Sequence, residues 1–364
     1  MNRTDLTVRA VRATGVEVPM KLPLGTSQGS IRAAPLLLID LETEQGVTGC
    51  AYLFCYVPAA AAGIAAMLGE IERVAKGERV SPADLWAKLA RRFTLIGVQG
   101  IVRMALAGFD VACWDALAKA AGKPLVSLLG GAPRTIRAYN SNGLGLMTPE
   151  KLADEAEALA AGGFAAVKLR LGYPSVEADL AAVRAVRKRL PGRVALPVDY
   201  NQALSVEEAT RRGRALDGEG VYWIEEPIRH DDYRGCARIA RELSTPVQIG
   251  ENFSLPHSME EALAAGASDF VMPDLERIGG VTGWLRAAAL AAGAGIEMSS
   301  HLFPEVSAHL LAVTPTCHWL EYVDWATPVL AQPFELADGH LVIPDRPGNG
   351  LAWDADAVKR YRMS

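Results

Sequence analysis

Three acids recur at one interval: 26 residues separate Asp199 from Glu225 and again Glu225 from Glu251 (225 − 199 and 251 − 225). Each follows a short apolar run, VALPV before Asp199, VYWI before Glu225 and PVQIG before Glu251, and stretches of helical composition such as SVEEATRRGRALDGEG lie between. A parallel strand with its crossover helix takes about that length, so the spacing places one carboxylate at the carboxyl end of each of three successive parallel strands. Three carboxylates meeting at one rim repel one another, and a hard divalent cation makes the arrangement stable. The all-oxygen set favours Mg2+, with Mn2+ as a substitute. Glu226 is expected to be a neighbour only, because adjacent strand residues face opposite ways.

The rhythm extends in both directions. AAVKLR is a strand whose Lys168 and Arg170, two residues apart, face one side, into a barrel mouth. Asp274 follows Glu251 by 23 residues, His301 follows Asp274 by 27, and Glu321 follows by 20 more. Groups that follow one another on consecutive strand ends line the catalytic face of a (β/α)8 barrel. An aspartate accepting the imidazole N–H fixes the tautomer and makes His301 a general base, with Asp274 its orienter. Lys168 is expected to have a lowered pKa or to bind an anion. Arg170 stays protonated and is no proton shuttle. Glu321, opposite the lysine strand in this ring order, is expected to donate a hydrogen bond or a proton to an oxyanion. Ser141 and Asn201, at strand ends, are candidate substrate contacts. The glycines of GGVTG are a backbone turn, since no lysine follows in phosphate-loop spacing.

At 364 residues the chain exceeds one core of usual size. Residues 1–130 show strands first and helices after (Ala59 to Gly77, Pro82 to Ala121), the pattern of an α+β unit that covers the barrel mouth. Residues 131–330 alternate strand and helix. Residues 331–364, rich in Gly and Pro, contain too many breakers for another strand–helix pair and are expected to pack back on the first domain. A net charge of −5 with scattered Lys and Arg excludes a nucleic-acid partner. Neither a signal peptide nor a membrane span is visible, and five cysteines without metal spacing point to reduced thiols in a cytoplasmic protein.

The motifs AAVKLRLGYP, PVDYNQAL, YWIEEPIRHDDY, PVQIGENF, MPDLERIGGVTGW and MSSHLFPEVSAHLLAVTPTCHWLE, with AGFDVACWDALAK before the barrel, resemble the enolase superfamily and within it the mandelate racemase subgroup. The resemblance implies an α/β protein with an α+β capping domain on a modified (β/α)7β barrel, and Mg2+ on Asp199, Glu225 and Glu251. It also implies His301 with Asp274 as base, Lys168 as electrophile toward a substrate carboxylate, Glu321 as acid on that carboxylate, and a homo-oligomer up to an octamer. One position departs: the subgroup carries a lysine, its second base, where this chain has Arg170, which enters the catalytic set as a fixed charge. The loop LGTSQGSIRAA brings Ser27, Gln28 and Arg32, with Arg32 a substrate-binding candidate, while Phe54, Tyr56 and Leu302 keep part of the pocket apolar.

The expected partner is therefore a small hydroxy carboxylate that loses its α-proton. Racemisation or epimerisation of a 2-hydroxy acid is placed first. Dehydration of an acid sugar, with His301 as the sole base, is the alternative. A non-catalytic scaffold is the remote third, because such a protein would lose the metal acids or the base first.

Overall fold

The computed structural model describes residues 5–27 and 29–363; Gln28 of the cap loop lies outside them. The chain opens with an antiparallel sheet of β1 (Val8–Thr26), β2 (Gly29–Thr43) and β3 (Thr48–Phe54), in that order. Its central strand buries Leu36 to Leu41 almost without interruption, which an alternating strand exposed on one face would not do. Helices Pro58–Ala75, Pro82–Arg92 and Gly100–Ala120 cover it. The single helical stretch expected from Pro82 to Ala121 is thus two helices, split after Phe93 where Gly97 takes a positive φ of 85°.

The barrel strands are β4 (Thr135–Asn140), β5 (Leu169–Arg170), β6 (Val198–Asp199), β7 (Ile224–Glu225), β8 (Val247–Ile249), β9 (Phe270–Val271) and β10 (Leu320–Tyr322). From β5 to β9 each pairs in parallel with the next. Asn140 bridges Val167, so β4 joins β5; Val271 bridges Met298, Met298 bridges Cys317, and β10 pairs in parallel with β4. The ring closes, the segment around Met298 being the stave between β9 and β10. A helix fills every connection, the last being Pro304–Leu311 between the Met298 stave and β10, and no barrel helix follows the final strand: this is a (β/α)7β barrel.

The barrel floor is plugged by Tyr139, Trp223 and Trp319, all fully buried, with the Arg137 guanidinium 3.5 Å from the Trp319 ring centroid. Gly280 and Gly283 of GGVTG let the helix Gly280–Ala294 pack tightly: a Cβ on Gly280 would come within 2.8 Å of the Ala107 carbonyl on the cap helix. Buried polar pairs tie the two parts together, Asp110 accepting from the Thr282 amide and hydroxyl, and Tyr52 donating to Glu305 at 2.6 Å.

The closing segment does contain regular structure despite its breakers. β11 (Leu336–Ala337) and β12 (His340–Val342) form a small ribbon, with β12 antiparallel to β4, and a helix spans Ala355–Tyr361. The chain then reaches the cap: the Trp353 indole donates to Asp40, and Arg362 bridges Val16. The glycines fall in the turns between these short pieces, Gly339 in the ribbon turn. No two cysteines are bridged among the described residues, and no helix there is long and apolar enough to cross a membrane.

Candidate active site

A cavity of about 520 Å³ opens where the cap meets the carboxyl ends of the barrel strands. Leu24, Thr26, Gly29, Ser30 and Ile31 from the β1–β2 hairpin, and Phe54, Tyr56 and Val57 after β3, form its roof. Lys168, Arg170, Asp199, Asn201, Glu251, His301, Leu302 and Glu321 form its floor and walls, so most of the residues singled out in the sequence converge there.

The three acids at equal spacing meet: one carboxylate oxygen from each of Asp199, Glu225 and Glu251 lies within 4.8 Å of the others. Asp199 and Glu225 are partners in register on β6 and β7, but Glu225 pairs with Gln248 on β8, so Glu251 reaches the cluster from one turn of chain further out. Gly250, at φ 141°, makes that bend; a Cβ there would meet the Met272 amide nitrogen at 2.8 Å. Each acid is held by a neighbour: the Asn201 amide donates to Asp199 (2.7 Å), the Trp223 indole to Glu225 (3.1 Å), and the Asn252 side chain to Glu251 (3.2 Å). Burial, together with Asp199, Glu321 and Glu251, pushes the Glu225 carboxyl up to about 8 against the pull of Lys168. Such crowding is relieved by a divalent cation, and this all-carboxylate set fits Mg2+ or Mn2+.

His301 Nδ1 lies 2.6 Å from Asp274 Oδ2, and Nε2 faces the cavity 3.3 Å from Glu251 and 3.8 Å from Glu321. Burial pulls the imidazole down; Glu251, Glu321 and Asp274, at full charge with no cation among them, raise it to about 10, and a divalent cation on Glu251 would offset the largest of these pulls and free Nε2 to act as a base. Asp274 has a second duty, capping the short helix Leu275–Ile278 by accepting from the Glu276 and Arg277 amides. That helix start, immediately after the β9 strand, rigidly aims its other oxygen at His301.

Lys168 does not have the lowered pKa offered as one possibility. Burial pulls it down, but Glu225 at 2.9 Å, Glu321 at 2.8 Å and Asp199 at 3.3 Å hold it well above the usual range, a firmly protonated ammonium. Nor does Glu321 stand opposite the lysine strand: ring closure puts β10 beside β4, which adjoins β5, and so Glu321 touches Lys168. Although burial opposes it, Lys168 and His301 hold the Glu321 carboxyl below its ordinary range, and the Leu302 amide donates to it at 2.8 Å. In this arrangement it is an acceptor, not the donor expected from the sequence.

Three expectations shift. Ser141 is fully buried and does not line the cavity; its hydroxyl and carbonyl accept from Arg170 Nη2, while Nη1 donates to the Gly143 carbonyl at 2.7 Å. Arg32 points away on the exposed edge of β2, and Ile31 takes the inward position. Glu226 does line the cavity: its φ of 37° breaks the strand alternation that would have turned it away. Sequence reasoning also passed over Gln202, Asn252, Arg277 and Trp325 in the wall. Asn252 and Arg277 stood within IGEN and MPDLER, next to residues that were chosen, so the motifs marked the right loops without separating their members.

Comparison with known proteins gives a consistent picture. Residues 151–357 match the family model "Enolase C-terminal domain-like", and residues 8–130 match "Mandelate racemase / muconate lactonizing enzyme, N-terminal domain". A solved structure described as an enolase from alphaproteobacterium BAL199 with bound magnesium is 45% identical, covers 98% of this chain and 100% of its own, and superposes with a TM-score of 0.96. Another enolase, from Bradyrhizobium in complex with magnesium and mandelic acid, is 42% identical, with 99% of each chain covered and a TM-score of 0.94. The L-talarate/galactarate dehydratase of Salmonella typhimurium is 32% identical over 93% of this chain and 85% of its own length.

Proposed function

Because the chain belongs to the mandelate racemase/muconate lactonizing enzyme family of the enolase superfamily, we propose that it is a one-base dehydratase of acid sugars. At the coarser level it is a Mg2+-dependent enzyme. Asp199, Glu225 and Glu251 would hold the ion, which when bound would supply Lewis acidity toward the substrate carboxylate. The small-molecule partner is a hydroxy carboxylate.

The observation that carries the reading is Arg170. Its guanidinium donates through Nη1 to the Gly143 carbonyl and through Nη2 to Ser141, and an arginine has no neutral form at working pH. Lys168 is held protonated by three carboxylates. Among the described residues His301 alone combines a cavity-facing nitrogen with a partner that fixes its tautomer. His301 Nε2 takes the α-proton while Lys168 offers its ammonium to the carboxylate on which charge develops. His301 then returns the proton to the β-hydroxyl; the C–O bond breaks, water leaves, and the enol tautomerises to a 2-keto-3-deoxy acid. No second base is required.

The competing reading, racemisation or epimerisation of a 2-hydroxy acid, has the mandelate complex of the 42% identical neighbour in its favour, as well as the apolar wall of Phe54, Leu302 and Trp325. One assay separates them. Sugar acids and aryl or alkyl 2-hydroxy acids are incubated with enzyme and Mg2+, reading 2-keto acid release and optical rotation together. Keto acid from a sugar acid is the expected result; loss of rotation without keto acid overturns the proposal in favour of the racemase.

A further inference from the structure

The two residues that follow His301 both take left-handed backbone, Leu302 at φ 50° and Phe303 at φ 49°. Neither is glycine, so each is costly, and such strain persists only where the surroundings enforce it. The turn serves the site. It carries the Leu302 side chain into the cavity wall and points the Leu302 amide at Glu321 Oε2, 2.8 Å away. The other oxygen of Glu321 meets Lys168 at 2.8 Å, so one carboxylate ties the peptide next to His301 to the cavity ammonium. The Leu302 carbonyl is held as well: the fully buried Ser307, in the first turn of the helix Pro304–Leu311, donates its hydroxyl to it at 3.0 Å. A helical serine ordinarily bonds back three or four residues within its own helix, whereas this one reaches past the N-cap residue Phe303 to the strained position. Among the described residues no other group donates to that carbonyl.

We propose that Ser307 is a positioning residue for the proton transfer: by holding the Leu302 carbonyl it keeps the left-handed turn, and through the Leu302 amide it keeps Glu321 on Lys168 beside His301. This rests on the reading of His301 as the base above, and it holds whether the outcome is dehydration or racemisation. Without the hydroxyl, the Leu302 carbonyl loses its partner in buried surroundings, and one of the two hydrogen bonds that oppose the strain is gone. Relaxation of Leu302 toward negative φ then swings its amide off Glu321. The helix itself has separate support: the Phe303 ring packs 5.2 Å from that of Tyr52, whose hydroxyl donates to Glu305 at 2.6 Å. The change is therefore confined to the turn, where a displacement of about 1 Å in a catalytic group can cost on the order of a hundredfold in rate.

The test is a double-substitution cycle with Leu302→Gly, because glycine enters the left-handed region freely and needs no clamp. Wild type, Ser307→Ala, Leu302→Gly and the double variant are loaded with Mg2+, and exchange of the α-proton in deuterated solvent is followed with mandelate and with galactonate as probes. In the wild-type background Ser307→Ala should lower kcat for exchange roughly tenfold or more, with KM within about threefold. In the Leu302→Gly background, itself slowed by loss of the apolar wall, the same change should cost less than about twofold. Equal factors in the two backgrounds would show that Ser307 serves helix packing alone and would overturn the proposal, as would exchange in Ser307→Ala within about twofold of wild type. A crystal structure of Ser307→Ala decides the matter without turnover: Leu302 should leave positive φ, or its amide should lie more than about 3.5 Å from Glu321, and an unmoved turn overturns the proposal. Exchange by wild-type enzyme without keto acid release from galactonate sinks the dehydratase reading alone and leaves the clamp standing.

Discussion

Asp274→Asn isolates one contact. The aspartate makes two kinds of bond: Oδ1 caps the helix Leu275–Ile278 by accepting from the Glu276 and Arg277 amides at 2.8 and 3.1 Å, and Oδ2 receives the His301 Nδ1 proton at 2.6 Å. Asparagine is as good a cap as aspartate, so the helix start should survive. What disappears is the acceptor opposite Nδ1, because an asparagine that keeps its oxygen on the two amides turns an NH2 donor toward the imidazole. A hydrogen bond to a charged partner contributes about 1.5–3 kcal/mol, roughly 10- to 150-fold in rate, if the bond holds the base in its working tautomer.

The readout is exchange of the substrate α-proton with deuterated solvent, which reports proton abstraction whether the outcome is dehydration or racemisation. Asp274→Asn should slow exchange within that range with thermal stability nearly unchanged, whereas Asp274→Ala should slow it similarly and also lose about 1 kcal/mol of stability with the cap. Exchange in Asp274→Asn within twofold of wild type would refute the orienting role. A stability loss in Asp274→Asn as large as in Asp274→Ala would show that the cap argument is wrong.

Amide variants of Asp199, Glu225 or Glu251 should each weaken Mg2+ binding by roughly tenfold or more, about 1.4 kcal/mol, by direct titration; three variants of normal affinity would remove the metal assignment. In deuterated solvent only one enantiomer of a 2-hydroxy acid should exchange rapidly, and Arg170→Lys should bring up exchange of the other; equal rates in wild type would mean that a second base is already at work. Burial pushes the Asp110 and Glu305 carboxyls up to about 7 despite the hydrogen bonds from Thr282 and Tyr52. Between pH 4 and 7 the folded chain therefore keeps protons that the unfolded chain has released, so stability is greatest at the acid end of that window and falls as pH rises through it. Asp110→Asn should flatten part of the decline in Tm between pH 5 and 8; a wild-type Tm that rises over that interval would contradict the sign.

The strand-end period made the barrel and the convergence of its candidate groups legible because period and position coincide in this architecture: a group at each strand end reaches the same mouth. Asp199, Glu225, Asp274 and His301 obey that rule. The exceptions arise where local backbone departs from strand geometry. Glu251 meets the other acids only because Gly250 bends the chain, so the equal 26-residue interval does not correspond to equal register on β8. Ser141 stands at a strand end and still misses the cavity, since Arg170, also legible, reaches over and takes its hydroxyl. Ring order from sequence put Glu321 far from Lys168 because closure between β10 and β4 is a long-range pairing with no local signal. Glu226 is the sharpest case. Alternation is a statement about extended φ, and nothing in WIEEP announces the left-handed turn at its second glutamate; the turn is imposed by two backbone hydrogen bonds to Gln248 and Gln202, which sit in other motifs. A side chain that sequence periodicity assigns to the outside is thereby turned into the cavity wall, against the direction the period argued for.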